Sequence, residues 1–247
     1  MAQLVAERGR RSVNELAEVF DMGVETVRRD LSALERMGLV HRVHGGAVSA
    51  NTLTVIEPEL IEADSANTAE KERIAKAALA FLPPAGSTVL MDAGSTTSRL
   101  AGMLPRDHRL VVFTHAIPIA ARLTGHTQVE LHLLPGRVRG ITRAAVGADT
   151  VAALDWLRVD AAFIGTHALS LDHGLSTPDR DEAAIKRAIV RSARQVIVLS
   201  DASKLGRESL VRFANIADID VLVTDAGIND DDLSALTETG VDVVVAC

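Results

Sequence analysis

From Asn67 to the C-terminus, short apolar runs alternate with stretches of helical spacing. Val89-Leu90-Met91, Leu110–Thr114, Val129–Leu134, Ala161–Gly165, Val196–Ser200, Val221–Thr224 and Val241–Val245 are each bounded by polar or turn residues. Runs of this kind predict strands buried on both faces of a parallel sheet. Between them the spacing predicts helices at Ser98–Leu104, Ile117–Leu123, Ala148–Leu154, Asp181–Ala193 and Asp231–Thr239. A further helix is expected from Thr68, as its cap, to Leu82, where Pro83-Pro84 stop it. The alternation predicts a Rossmann-like, mostly parallel α/β fold, with any ligand at the carboxyl ends of the strands.

The first fifty residues follow a different pattern. Ser12 and Glu15 form a capping box that opens a helix through Phe20, with Val13, Leu16, Ala17 and Phe20 on one face. After the turn Asp21-Met22-Gly23, a second helix is expected from Val24 to Met37, with Val27, Leu31 and Leu34 inward and Gly38 ending it. Its outer face carries Glu25, Thr26, Arg28, Arg29 and Ser32. Leu39 to Val48 reads as two short strands around Gly45-Gly46, a wing with Arg42 and His44 at its rim. Helix, short turn, helix with adjacent arginines, then a basic wing predicts a winged helix-turn-helix whose second helix enters the major groove. A small helical protein-interaction module with a solvated arginine face is the alternative. Residues 51–66 carry Pro58 and four acidic residues, Glu57, Glu59, Glu62 and Asp64, and read as a linker with one partly helical turn. The expected organisation is therefore a DNA-binding domain at 1–50, a linker at 51–66 and an effector and oligomerisation domain at 67–247.

Charge separates the two halves. Seven arginines balance seven acidic residues in the first fifty positions, so the whole net charge of −7 lies on the body beyond them. The balance over the full chain therefore does not argue against a DNA-binding head. No apolar run approaches the roughly 18 residues of a membrane span, and the N-terminus lacks a signal-peptide core. The single cysteine, Cys247, excludes an intrachain disulfide and a cysteine metal cage. A cytoplasmic protein with no membrane partner, no metal and no cofactor is expected.

Candidate chemistry gathers after the strands. Asp92-Ala93-Gly94-Ser95-Thr96-Thr97 joins a strand to a helix. A glycine and three hydroxyl residues at such a turn offer unpaired N–H groups at the positive end of a helix, a place for a phosphate. Alternatively, Ser95 or Thr96 merely caps the helix. Gly165-Thr166-His167, the segment His173 to Asp179 leading to Glu182 and Lys186, and Asp201-Ala202-Ser203-Lys204 follow other strands. Lys204 can supply charge to a phosphate, while Asp179, Glu182 and Asp201 can accept from sugar hydroxyls. The plainer readings are a surface ion pair between Glu182 and Lys186 and an ordinary turn at 201–204.

The run TVRRDLSALERMGLVHRVHGGAV, Thr26 to Val48, resembles the signature of the DeoR family of bacterial transcriptional regulators, in Thr26, Arg28-Arg29-Asp30-Leu31, Leu34, Gly38 and His44-Gly45-Gly46-Ala47. TAEKERIAKAALAFL, DAGSTT, FIGTHALSLDHGLSTPDRDEAAIKRAIV and VIVLSDASKLGRESLVRFANIADIDVLVTD resemble the effector domain of the same family, so the likeness spans nearly the whole chain. Gly23 stands where the family usually has serine, His115 where it has asparagine, and Pro135 where it has glycine. The family's first helix also normally carries residues ahead of MAQLVAERG. The resemblance implies an effector domain similar in fold to ribose-5-phosphate isomerase, binding a phosphorylated sugar. Gly94, Ser95, Thr96 and Thr97, with Asp92 at the head of their loop, would hold the phosphate near Lys71. Gly165, Asp179, Glu182, Lys186 and Lys204 would complete the pocket. It also implies operator DNA contacts from Thr26, Arg28, Arg29, Ser32, Arg42, His44 and Gly45.

Three functions compete. The first is a repressor of a sugar or sugar-phosphate operon, binding double-stranded operator DNA as a dimer or tetramer under control of a phosphorylated sugar. The second is a sugar-phosphate isomerase with an accessory DNA-binding head, in which Glu182 or Asp179 is the base. The third is an architectural DNA binder whose body only oligomerises, which leaves the polar loops unexplained. The first is the expected function, and the chain is not expected to be an enzyme.

Overall fold

A computed structural model of the chain describes residues 1–2, 4–5, 11–37, 39–43, 46–49 and 60–247, without the side chains of 41, 43, 48, 49 and 61. Gly38, His44, Gly45 and residues 50–59, most of the expected linker, lie outside the described residues. The chain divides into two compact units, Met1–Leu53 and Thr54–Cys247.

In the first unit, strand β1 (Arg11–Ser12) leads into helix α1 (Val13–Phe20), followed by α2 (Val24–Arg36), β2 (Val40–Val43) and β3 (Gly46–Ser49). The expected capping box is present: the Glu15 N–H donates to Ser12 Oγ at 3.1 Å and the Ser12 N–H to Glu15 Oε2 at 2.7 Å. Asp21 ends α1 in the left-handed region, with φ 51°. Leu16, Val27 and Leu31 are fully buried and Val13 nearly so, joined by Val5, Val40 and Ala47. Phe20 departs from the expected inner face and is 38% exposed. The wing has three strands rather than two, in the order β1-β3-β2, because Arg11 and Ser12 pair antiparallel with Ala47 and Gly46. Gly46 lies in β3 rather than in a turn. A Cβ there would sit 2.0 Å from the Arg11 carbonyl oxygen, so only glycine admits this pairing.

The second unit opens with α3 (Leu60–Ser65) and α4 (Thr68–Ala78). Then β4 (Thr88–Met91), α5 (Ser95–Gly102), β5 (Leu110–Thr114), α6 (Ile117–Leu123) and β6 (Val129–Leu133) alternate. A hairpin of β7 (Arg137–Arg139) and β8 (Ala144–Val146) precedes α7 (Ala148–Asp155) and β9 (Val159–Gly165). Next come β10 (Ala168–Ser170), β11 (Gly174–Thr177), α8 (Arg180–Ser192), β12 (Ala193–Leu199), β13 (Val211–Ala214), β14 (Val221–Asp225), α9 (Asp230–Glu238) and β15 (Asp242–Ala246).

Seven of these strands form one parallel sheet in the order β15-β14-β12-β9-β4-β5-β6. Alternate side chains enter opposite cores, which is why the strands read as continuous apolar runs. Leu90, Ala162, Ile164, Val196, Val198 and Leu222 pack with Leu154 of α7, Ile185 and Ile189 of α8 and Leu236 of α9. Val89, Met91, Phe163, Ile197 and Val223 pack on the other face with Ile74 of α4, Leu100 of α5 and Ile119 of α6. Both faces are thus covered, as expected of a doubly wound Rossmann-like fold.

The segment expected as a loop from His173 to Asp179 holds β11, which joins β10 and β13 in a small antiparallel sheet. Gly174 starts β11 at φ +75°, where a Cβ would lie 2.3 Å from the Ala214 carbonyl oxygen. The expected cap at Thr68 is instead Asn67, which takes φ 51° and makes no side-chain cap bond.

Candidate functional site

In the parallel sheet, succession along the chain runs β4-β5-β6 in one direction and β9-β12-β14-β15 in the other. The direction reverses between β4 and β9, and a crevice at the carboxyl ends of the strands opens at such a switch point. Asp92 follows β4 there and Gly165 ends β9.

Asp92 is fully buried, and its Oδ2 accepts from the Gly165 N–H at 3.0 Å and from Lys186 Nζ at 2.5 Å. Its Oδ1 lies 3.1 Å from Nε2 of His115, whose Nδ1 donates to the Ala145 carbonyl at 2.8 Å. Burial pushes the Asp92 carboxyl up, but the Lys186 ammonium and the His115 hydrogen bond hold it below the usual carboxylate range. Lys186 also donates to the Gly165 carbonyl at 2.9 Å and stands over the Phe213 ring. Glu182 and Lys186 are each 4% exposed, so the surface ion pair offered as their plainer reading does not describe them.

Gly94 begins α5, and no side chain caps it. The plain capping role offered for Ser95 or Thr96 is therefore absent. Ser95, Thr96 and Thr97 form the first turn and are 9%, 5% and 0% exposed. Thr97 Oγ1 donates back to the Gly94 carbonyl at 3.0 Å, and Ser95 Oγ to the Ala63 carbonyl at 3.5 Å. The Thr96 hydroxyl has no hydrogen-bond partner among the described residues. The first N–H groups of an α-helix lack intrahelical acceptors, so this turn presents donors at the positive end of the helix.

Cations converge on the same end of the sheet. Lys204 donates to the Thr166 carbonyl at 2.9 Å and lies 3.8 Å from Asp201 Oδ2. Lys71 is 3% exposed and donates to the carbonyls of Ala63 and Ala66. Burial, with the like charges of Lys204 and Arg99, lowers Lys71 to about 8. Burial also lowers Lys204, against the pull of Asp201. His167 is lowered to about 3 by burial and by Lys204 and Lys186, and stays neutral at physiological pH.

Asp179 caps α8 by accepting the Glu182 N–H at 2.9 Å, and Arg139 from β7 reaches Asp179 Oδ2 at 3.3 Å and Glu182 Oε1 at 3.2 Å. Burial raises Asp201, but Lys204 and the Ser203 hydroxyl hold it below the usual carboxylate range. The Asn67 amide donates to Asp201 at 3.0 Å. The structure thus gathers Lys71, Asp92, Gly94, Ser95, Thr96, Thr97, Gly165, Asp179, Glu182, Lys186 and Lys204 at one end of the sheet. It adds Arg99, His115, Arg139, His167 and Asp225, which were not singled out as ligands. Asp225 ends β14 and braces the 201–204 loop through the Ala202 N–H at 2.8 Å. A pattern did exist for it: VLM-Asp92, VIVLS-Asp201 and VLVT-Asp225 each end an apolar strand on aspartate.

In the first unit, Thr26, Arg28 and Arg29 are exposed on α2, with Arg28 paired to Glu25 at 2.5 Å. Arg42 of β2 donates from Nη1 to Ser32 Oγ at 2.8 Å and from its backbone to Glu35 Oε1 at 2.8 Å. Wing and helix are therefore fastened together beside the arginines. His44 and Gly45, also expected at this surface, lie outside the described residues.

A winged helix-turn-helix joined to a parallel α/β unit with a cation-lined crevice defines a transcriptional regulator with its own sensor domain. The chain matches the DeoR-like helix-turn-helix domain over residues 1–53 and the DeoR C terminal sensor domain over residues 66–226. It is 32% identical over 244 residues to a putative aga operon transcriptional repressor of Escherichia coli O157:H7, covering 98% of this chain and 90% of the relative. It is 35% identical over 244 residues to the HTH-type transcriptional regulator GlpR of Haloferax volcanii, covering 99% and 94%. The glycerol-3-phosphate regulon repressor of Escherichia coli K12 is 31% identical over 224 residues, covering 91% and 88%. The chain belongs to the DeoR family of DNA-binding transcriptional regulators. Among solved structures, ribose 5-phosphate isomerase A of Methanocaldococcus jannaschii matches 57% of the chain and 55% of its own at 18% identity and a TM-score of 0.42, too loose to argue from. No helix among the described residues is long and apolar enough to cross a membrane.

Proposed function

We propose that this chain represses an operon for the use of a sugar or polyol, and that a phosphorylated form of that compound, bound in the crevice between β4 and β9, alters its hold on DNA. The observation that carries the reading is the uncapped first turn of α5 with buried lysines around it. Lys71 and Ser95 share the Ala63 carbonyl, and Lys204 is close enough to Lys71 to lower its affinity for a proton. A phosphate monoester carries about −1.5 to −2 at pH 7 and several strong acceptors, which suits N–H and hydroxyl donors backed by lysines. In this reading Gly94, Ser95, Thr96 and Thr97 hold the phosphate, Lys71 and Lys204 balance its charge, and Asp92, Gly165 and Lys186 form the floor. Asp179 and Glu182 receive hydroxyl groups. The names of the relatives as repressors of aga and glycerol-3-phosphate genes support the same class of regulated operon.

Thr26, Arg28, Arg29, Ser32, Arg42, His44 and Gly45 contact operator DNA, with α2 in the major groove. One such module makes few base contacts, so two or more chains act together on repeated half-sites. The test is thermal stability of the full chain across sugar phosphates and their unphosphorylated parents. A ligand bound only by the native state raises apparent stability with its concentration. Stabilisation by a phosphorylated compound and not by its parent is expected. The absence of any phosphate-dependent shift would overturn the reading.

A further inference from the structure

Helix α3 is the first described element after the DNA-binding unit, and it lies against the proposed phosphate turn through several polar contacts. Asp64 pairs with Arg99, a residue of α5 only 12% exposed, and Arg99 Nη2 also donates to the Asp64 carbonyl at 2.9 Å. The Ala63 carbonyl takes Lys71 Nζ and Ser95 Oγ, and the Ala66 carbonyl takes Lys71 Nζ at 2.7 Å. The end of α3 therefore occupies donors that a phosphate on this turn would use. A six-residue helix has no stability of its own, so α3 persists by these contacts at its end and by the Leu60 N–H bond to the Ile141 carbonyl, 3.0 Å, at its start.

We propose that Arg99 is an anion-binding residue held in reserve by Asp64. A phosphate group arriving at the α5 turn competes with Asp64 for Arg99, and with the Ala63 carbonyl for Lys71 and Ser95. Its binding releases α3 and the chain that leads back to the DNA-binding unit. Charge favours this exchange. Lys71 and the charged groups that act on it, Arg99 and Lys204 against Asp64 and Asp201, carry one net positive charge. Removing Asp64 leaves two, the complement of a phosphate monoester near its dianionic form. Asp64 is half-exposed, so water can receive it at small cost once Arg99 turns to the ligand. The exchange gives the ligand unequal affinity for the latched and released forms, which any switch requires.

The inference rests on the phosphate reading of the α5 turn, and one experiment separates the two. Hydrogen exchange is followed in the full chain during titration with inorganic phosphate, for the wild type, Asp64→Asn and Arg99→Lys. Phosphate should slow exchange over residues 94–102 while speeding it over residues 60–66. Asp64→Asn should speed exchange over 60–66 without phosphate and lower the phosphate midpoint about three- to tenfold. Arg99→Lys, which keeps the charge but loses the planar fork, should raise that midpoint. Slower exchange in both segments, or an unchanged midpoint in Asp64→Asn, would overturn the latch while leaving the phosphate site standing. No slowing over 94–102 at any phosphate concentration would overturn both.

Discussion

Replacing Lys186 by methionine tests the electrostatic floor of the crevice. The lysine side chain is 6% exposed, its ammonium is 2.5 Å from a fully buried Asp92 and 5.6 Å from the centre of the Phe213 ring, and the unbranched, adaptable methionine fills most of its volume. What is lost is the partner of a buried carboxylate. Breaking such a pair from one side costs about 3–5 kcal/mol near neutral pH. The pH dependence distinguishes this cause from a packing defect. In the wild type the Asp92 carboxyl lies below its unfolded value of about 3.9. Its contribution is therefore present above that pH and lost as the pH falls toward the folded value. In Lys186→Met, only His115 and the Gly165 N–H still oppose burial, the largest influence on this carboxyl, and the carboxyl is expected to move above its unfolded value. Its contribution is then fully present below about pH 4 and lost as the pH rises through the raised folded value. The stability gap between the two proteins should widen above about pH 4, by up to about 1.4 kcal/mol per unit. Urea denaturation followed by circular dichroism measures the gap, and adding Asp92→Asn to Lys186→Met should remove its pH dependence. A gap of constant size across that range would refute the argument.

Gly46→Ala should unseat β1 from the wing, because the new methyl meets the Arg11 backbone, and DNA binding should be lost while the melting of the sensor unit is unchanged. Ser12→Ala removes one half of the α1 capping box and should destabilise the first unit by about 1 kcal/mol, read from its thermal unfolding. Arg29→Ala should weaken DNA binding and, where Arg29 meets a phosphate, reduce the slope of log affinity against log salt by about one. An unchanged affinity and slope would remove Arg29 from the interface.

All seven strands of the main sheet were legible: the inner strands are covered on both faces and appear as apolar runs, while the more exposed edge strands β6 and β15 still carry valine and leucine between polar bounds. The strands that escaped were β1, β7, β8, β10, β11 and β13, each of two to four residues. Segments of that length show no period, and polar residues such as Ser176 and Thr177 made β11 resemble a loop. Helix α3 was legible only as one partly helical turn in a linker, because its acidic residues suggest a solvated segment. The site was legible where residues adjacent in sequence share a turn, as at Gly94 to Thr97. It was not legible where long side chains bring distant positions together: Lys186 reaches Asp92 across 94 positions and Arg139 reaches Glu182 across 43. Asn67 illustrates the same limit, since its amide is directed to Asp201 rather than to its own helix.

The most direct test of the account is DNA affinity of the full chain, on a site selected from a random-sequence pool, with and without the phosphorylated compound that stabilises it. The account predicts about a tenfold or greater change in affinity on adding that compound. It predicts that Lys204→Ala abolishes the change while leaving ligand-free DNA affinity intact. Equal affinity in both conditions, or loss of DNA binding in Lys204→Ala without ligand, would contradict a sensor whose crevice governs the DNA-binding unit.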